Sequence, residues 1–537
     1  MLHWRDMLAN RYDYIVVGGG SAGCVLANRL TENSDTTVLL LEAGGRDSRR
    51  EIHIPAAFSR LFRSAVDWGY ETEPEPQLNG RRLEIPRGKV LGGSSAINAM
   101  IYTRGNPYDY DHWRSLGNPG WSYADVLPYF KKAENQERGQ TPYHGVGGPL
   151  NVADPRYVNP LTRMFVAAGV EIGLPRNLDF NGPTQEGIGL YQVNQKGGAR
   201  HSAATAYLQP ARKRPNLAVL TGAQALRVAF DGRRATGVVY ARDGQTHQAT
   251  AGREVILCAG AIGSPQLLLL SGVGPPDQLR SLGIPVIHKL PGVGQNLQDH
   301  LAILLAYRCT QPISLLNAEN AGSLLRYLLF KQGPLASNVS EAGAFVKSHA
   351  GLPAPDLQLG FVPAYAINRG YDPPEGHSFS IGCTVLRPLS RGTLALRSAD
   401  PAAPPSIRPS FLSEPADLDG LVRGMKLCRR IVQAGPFDMV RGPELSPGLQ
   451  AAGSHAQSDA DLAAYVRAFS QTVDHPVGTC KMGHDPLAVV DARLRVRGLE
   501  GVRVVDAAIM PALIGGNTNA PVIMIAEKAA DMIKESA

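Results

Sequence analysis

One stretch near the N-terminus constrains the fold more than any other. Tyr14-Ile15-Val16-Val17 is a short apolar, β-branched run that reads as a buried strand, and it leads straight into Gly18-Gly19-Gly20-Ser21-Ala22-Gly23. A helical stretch follows from Cys24 to Leu30, then a second strand, Thr37 to Leu41, ending at Glu42 and Ala43. Strand, GxGxxG, helix, strand and acid in that order make a dinucleotide-binding βαβ unit. Gly18 permits the tight turn, Gly20 lets the main chain approach a pyrophosphate, and Gly23 allows close helix–strand packing. The helix start, at Ser21 and Ala22, offers unpaired N–H groups to phosphate. Glu42 is placed to accept from a ribose 2′-hydroxyl, and an acid there disfavours a 2′-phosphate. The motif alone fits FAD or NAD; its place at the start of the chain favours FAD.

Composition narrows the class. The 537 residues allow about three folding units or fewer large ones, and 44% apolar against 19% charged residues excludes a disordered chain. Gly (58) and Pro (40) exceed the usual share without any period, which predicts an enzyme with elaborate loops rather than a fibrous chain. The net charge of +7 is dispersed rather than gathered into a basic stripe, so no nucleic-acid partner is expected. The excess suits an anionic cofactor or a membrane surface. The six cysteines contain no CxxC pair, a poor framework for disulfides or zinc, so no metal site is expected. This usage and the charged Met1–Asn10 segment, which is no signal peptide, point to the cytoplasm, compatibly with peripheral contact at the cytoplasmic membrane face. The uncharged runs Val255 to Pro276 and Ala507 to Ala526 are long enough to span a bilayer, but Gly, Pro and polar residues break both, so they read as buried soluble segments.

Three further motifs carry chemistry. Arg87 to Asn98 holds a glycine–serine loop, Gly92-Gly93-Ser94-Ser95, whose small residues bring main-chain N–H groups close to a ligand. Gly260-Ala261-Ile262-Gly263-Ser264-Pro265 precedes an apolar run and Gly272-Val273-Gly274. The C-terminal part contains His475-Pro476-Val477-Gly478-Thr479-Cys480, then Asp506-Ala507, then Asn517-Thr518-Asn519-Ala520-Pro521. Neither Ser94 nor Ser95 lies in a Gly-x-Ser-x-Gly elbow, so their hydroxyls are expected to bond phosphate or backbone. Asp299-His300 lacks an accompanying nucleophile, so His300 is expected to pack the cofactor domain rather than join a catalytic triad.

With these motifs the sequence resembles the glucose–methanol–choline (GMC) oxidoreductases from about Tyr12 to Ile533. Its two signatures lie in Gly88 to Tyr102 and Gly260 to Gly274, and the likeness is nearest to choline dehydrogenases and bacterial dehydrogenases of aliphatic alcohols. The resemblance implies an α/β (α+β overall) architecture. A discontinuous Rossmann-like FAD-binding domain (1–155, 195–309 and 466–537) holds an inserted substrate domain on an antiparallel sheet (156–194 and 310–465). It places Gly88, Val90, Gly92, Gly93, Ser94, Asn98, Ala99, Met100 and Ile101 along the flavin, with Asp506 and Ala507 near the pyrophosphate and ribityl chain. It also sets Ala225 at the adenine and Asn519 at the isoalloxazine or ribityl. Relatives with covalent FAD carry a His where this chain has Ile97, which has no nucleophilic atom, so non-covalent FAD is expected.

The resemblance also implies that a primary alcohol, aliphatic or aryl, loses a proton to His475 and a hydride to flavin N5, with Asn517 orienting the substrate oxygen. Electrons then pass to a quinone, a dye-like acceptor or O2. Choline dehydrogenase, an H2O2-producing oxidase and an FAD-containing lyase are the rivals. Choline would need a carboxylate or aromatic cage, for which Glu341 and Tyr365 lie in the right region. Leu324 to Phe330 is markedly apolar and fits an ordinary core helix, a pocket wall, a lid or a membrane contact.

Overall fold

Both faces of the first strand, β1 (Arg11–Val17), are covered over Tyr14 to Val17, which is why that half runs apolar without alternation. In the computed structural model, which describes residues 11–448 and 458–536, β1 pairs in parallel with β2 (Val38–Glu42) and with the end of Gln245–Leu257. Leu217–Thr221 extends the parallel set beyond β2, and Val502–Val504 pairs with the Val255–Leu257 end of the long strand. Gln245–Leu257 also turns back on Arg234–Arg242 and Gln224–Asp231 as an antiparallel meander. The parallel strands end level, with Val17 beside Leu41 and Leu257, so their carboxyl ends share one edge. In open α/β sheets that edge is where ligands bind.

Helix α1 (Ser21–Leu30) follows β1, starting one turn earlier than the expected Cys24. It packs on the C-terminal helix Asn519–Lys534 and on the segment around Tyr207. Arg29 forms a two-pronged ion pair with buried Glu527, which fixes this layer across nearly the whole chain length.

The second sheet is antiparallel throughout. Its order is Arg441–Ser446, Leu301–Cys309, Ser378–Val385, Leu357–Val362, Ala342–Val346 and Gly187–Leu190, with Gln471–Thr472 pairing the start of Leu301–Cys309. Strand alternation divides its two faces. Ile303, Leu305, Leu359, Phe361, Ile381 and Cys383 pack beneath the helices Pro415–Gln433 and Pro160–Glu171. Their neighbours Ala302, Leu304, Gln358, Gly360, Val362 and Thr384 face the large cavity between the two sheets.

The expected domain limits shift in two places. Leu301–Cys309 belongs to the second sheet, so the chain crosses over near His300 rather than after residue 309. The hairpin of Thr393–Ala395 and Ser406–Arg408 returns to the first core through Leu394, Leu396 and Ile407, interrupting the expected 310–465 insertion. All six cysteines are buried free thiols. Among the described residues, no helix is long and apolar enough to cross a membrane. The two uncharged runs instead form a strand end with the Gly260–Leu270 helix, and a loop with the start of the C-terminal helix.

Candidate active site

A cavity of about 1050 Å³ runs from the carboxyl edge of the parallel strands to the open face of the antiparallel sheet. That is large for a ligand pocket and suits a long cofactor with a small substrate beside it. At the parallel-strand end, main chain does most of the walling. A Cβ on Gly18 would lie 2.5 Å from the Cys258 carbonyl, and one on Gly23 would lie 1.9 Å from the Gly18 carbonyl. A Cβ on Gly20 meets nothing closer than 3.9 Å, because Gly20 faces the cavity. No side chain caps the first turn of α1, so its N–H groups stay available for an anion. The C-terminal helix also begins at the cavity with no side-chain cap, at Thr518 and Asn519. The Ser21 hydroxyl donates to Asn519 Oδ1 at 2.8 Å and joins the two helix starts.

Glu42 ends β2 at the cavity wall. Its two carboxylate oxygens accept from Gly19 N–H at 2.8 Å and Gly44 N–H at 2.7 Å, and burial pushes its pKa up to about 7. Lone pairs remain for ribose hydroxyls. Ala43 lines the same end, and Ala223 N–H donates to the Glu42 carbonyl, bringing Gln224 and Ala225 to the wall. Pro401 to Pro404 also line this end, held by Gln224 and Gln266 donating to the Pro401 and Ala403 carbonyls. That contribution was not legible from sequence, because nothing in a proline-rich loop marks its destination.

The glycine–serine loop docks through Gly92 N–H on the Gly19 carbonyl at 2.7 Å. Gly88, Gly93, Ser94, Asn98, Ala99, Met100 and Ile101 line the cavity. Val90 and Gly92, expected along the flavin, stand behind the wall, and so does Gly23, whose packing role was expected. Gly23 supplies close packing, Val90 sits in a small core with Ile52, Leu61 and Ile97, and Gly92 anchors the loop. The Ser95 hydroxyl donates to the Gly92 carbonyl and accepts from Ala203 N–H, as expected of a backbone-bonding serine. The Asn98 side-chain Oδ1 accepts from Met100 N–H and Arg200. Asp506 lines the cavity, but its carboxylate accepts from Gly260 N–H, Ala508 N–H and the Ser264 hydroxyl; burial raises its pKa to about 6. It therefore fixes the Ala507 turn.

At the antiparallel-sheet end, side chains meet from distant parts of the chain. His475 is almost fully buried at the cavity wall, and it follows Asp474, which holds a left-handed φ of 67°. Such a conformation needs a clamp. Arg369 binds the Asp474 carboxylate at 2.9 and 3.0 Å, and Arg87 donates to the Asp474 carbonyl.

Behind His475 stands His300, fully buried, the two Nδ1 atoms 2.9 Å apart and the rings edge-to-face at 82°. The expectation that His300 merely packs the cofactor domain is corrected here: it touches the candidate base. Asp299 is not a triad acid either. Its Oδ1 accepts the main-chain N–H of both His300 and His475 at 2.8 Å, and its Oδ2 accepts from Thr472. Burial pushes Asp299 up to about 7.

This network fixes the tautomers. The Leu386 carbonyl, 3.0 Å from His300 Nε2, can only accept, so His300 carries its proton on Nε2. Its Nδ1 is then an acceptor, and His475 donates to it from Nδ1. The lone pair of His475 is left on Nε2, toward the cavity, with Asn517 Nδ2 at 3.2 Å. Gln358 donates to Asn517 Oδ1 at 3.3 Å and Thr103 Oγ1 accepts from Asn517 N–H, so the amide is held with its donor toward His475. Burial, then the neighbouring His300 and Arg87, hold His475 well below its ordinary value, and burial takes His300 down to about 4. Both rings are neutral near neutrality.

Residues 12–302 match the N-terminal and residues 388–526 the C-terminal part of the GMC oxidoreductases. The chain belongs to that family. This GMC oxidoreductase is 48% identical to an oxygen-dependent choline dehydrogenase of Paraburkholderia phymatum, over 98% of this chain and 93% of the relative. Its structure resembles pyridoxine 4-oxidase from Mesorbium loti, with a TM-score of 0.90, 33% identity and coverage of 98% and 99% of the two chains. A fungal aryl-alcohol oxidase gives a TM-score of 0.85 at 26% identity, again over 98% and 99%. The cofactor is FAD, and the cleft fits it: an open glycine cradle, two uncapped helix starts and a buried acid lie in line toward His475 and Asn517.

Proposed function

We propose that this GMC oxidoreductase oxidises a neutral primary alcohol, aliphatic or aryl, to the aldehyde. The observation that carries the reading is the unprotonated Nε2 of His475, held beside the Asn517 amide at the cavity wall. When bound, FAD supplies a hydride acceptor at N5. His475 takes the hydroxyl proton at Nε2, and its Nδ1–H remains anchored on His300 throughout. Asn517 donates to the oxygen as its charge develops, and Gln358 keeps the amide from turning over. The apolar wall of Leu304, Val362 and Phe62 excludes water from the reacting carbon. FAD is held without a covalent bond, because Ile97 offers no nucleophile.

A neutral substrate is favoured because the carboxylates at the cavity are already engaged. Asp474 is bound by Arg369, Glu319 by Arg60, Asp506 by its own turn, and Glu42 by Gly19 and Gly44 N–H. Glu341 is a correction to the sequence reading. It is fully buried, with its oxygens taken by Ser337, Thr162 and Asn159 N–H, and it is not part of the cavity wall. Tyr365 does line the cavity. Choline is the second reading, favoured by the high identity to choline dehydrogenases.

Anaerobic mixing with an alcohol panel, followed by flavin absorbance, tests the assignment. Bleaching by neutral primary alcohols and little by choline is expected; bleaching by choline alone reverses the substrate class, and none by any alcohol defeats the reading. Peroxide measured beside dye reduction separates oxidase from quinone-linked dehydrogenase. Flavin that stays with acid-precipitated protein would refute the non-covalent link.

A further inference from the structure

The helix Ala321–Phe330 breaks the rule that apolar helices are buried. Tyr327 faces inward, its hydroxyl on the His53 carbonyl, but Leu324, Leu325, Leu328, Leu329 and Phe330 are 44 to 64% exposed. Exposed leucines scattered singly need no explanation; five on three turns of one helix form a patch that does. The sequence reading of an ordinary core helix is thereby excluded.

Two observations say what covers it. The first is charge. No Asp or Glu occurs from Asn320 to Ser340, whereas Arg326 and Lys331 lie on or at the end of the helix. Gly198 packs against the Lys331 main chain, which brings the hairpin bearing exposed Lys196 alongside. Glu319, just before the helix, is paired with Arg60. An apolar stripe edged by cations matches an anionic bilayer, where leucines enter the acyl boundary and basic side chains reach the headgroups. A protein partner would need acids at that rim. The second is position. Leu315, Leu316 and Glu319, leading into the helix, line the cavity together with Phe58 and Phe62. The patch is therefore continuous with one wall of the cavity.

We propose that the Ala321–Phe330 helix seats this protein on an anionic lipid bilayer, lying in the interface without crossing it, with the cavity wall beside it turned toward the lipid. The docking stands apart from the substrate assignment, since lipid binding is read without turnover.

The test uses flotation of the flavin-loaded protein with phosphatidylcholine vesicles, with and without phosphatidylglycerol. Wild type is expected to float with phosphatidylglycerol vesicles, and less as salt rises. Leu325→Glu/Leu328→Glu should lower the partition constant by about tenfold or more, with bound flavin and thermal midpoint unchanged because both positions are exposed. Arg326→Glu, at an exposed position, should weaken the phosphatidylglycerol dependence alone. Wild type that does not float, or a double variant that floats equally, overturns the proposal. So does a wild-type dimer that the double variant dissolves while neither binds vesicles, which would assign the patch to a second copy of the chain.

Discussion

At its dinucleotide end the cavity is walled by main chain; at its substrate end it is walled by side chains. Most of the first is glycines, a helix start and carbonyls in two short stretches, Gly18 to Glu42 and Gly88 to Ile101, joined by the distant helix start at Asn519. The second joins His300, Gln358, the Leu386 carbonyl, His475 and Asn517, which come from five separate segments. A pyrophosphate and ribose are the same in every FAD enzyme, so backbone amides suffice. A substrate differs from enzyme to enzyme, and only side chains can be exchanged without rebuilding the strands.

The sharpest way to break this contrast is one variant at each end. Gly20→Val places a side chain in the glycine cradle proposed to take the cofactor's phosphates, with no positive φ and nothing but cavity within 3.9 Å. It should fold yet purify colourless, and a yellow Gly20→Val protein would break the account of the cradle. His475→Ala should keep its full flavin content and lose at least about 100-fold in the rate of alcohol-driven bleaching. An unchanged rate removes His475 from the chemistry.

The antiparallel sheet supplies the next test. A Cβ on Gly360 meets nothing within 4 Å, so Gly360→Phe fills the substrate end without backbone strain. Long-chain or aryl alcohols should lose about 10- to 100-fold relative to the smallest alcohols. Equal losses for all alcohols would mean that this face does not read substrate size.

The smallest expected effect lies behind the base. His300→Phe removes the acceptor that fixes the tautomer of His475, and the rate should fall about tenfold. The pH profile separates this from mere damage. A depressed His475 stays unprotonated as pH falls through 6.5, so the wild-type bleaching rate should be flat down to that point and fall only below it. Removing His300, whose proximity helps depress His475, should move the acid limb to higher pH. A limb that does not move assigns His300 to packing alone.

Sequence showed the dinucleotide end well because its logic is local: GxGxxG needs only its neighbouring strand and helix to be understood. It showed His475 and Asn517 only through resemblance. It misplaced His300, because whether a buried histidine touches the site depends on the Leu301–Cys309 strand leaving the cofactor domain at that very residue. It misread Val90 because a residue between two lining glycines points the other way, into the core with Ile97. Glu341 looked available in sequence, since nothing there reveals that Thr162 and Asn159 already hold it.

The hydrogen bond from Ser21 to Asn519 joins residues 498 positions apart at the glycine-lined end of the cavity. The glycine loop is separated by hundreds of residues from the second helix start, the Val502–Val504 strand and Asn517 that complete the cavity. A complete pocket therefore needs both stretches folded together, and a C-terminal truncation ahead of Asn517 should purify without flavin, which its absorbance checks.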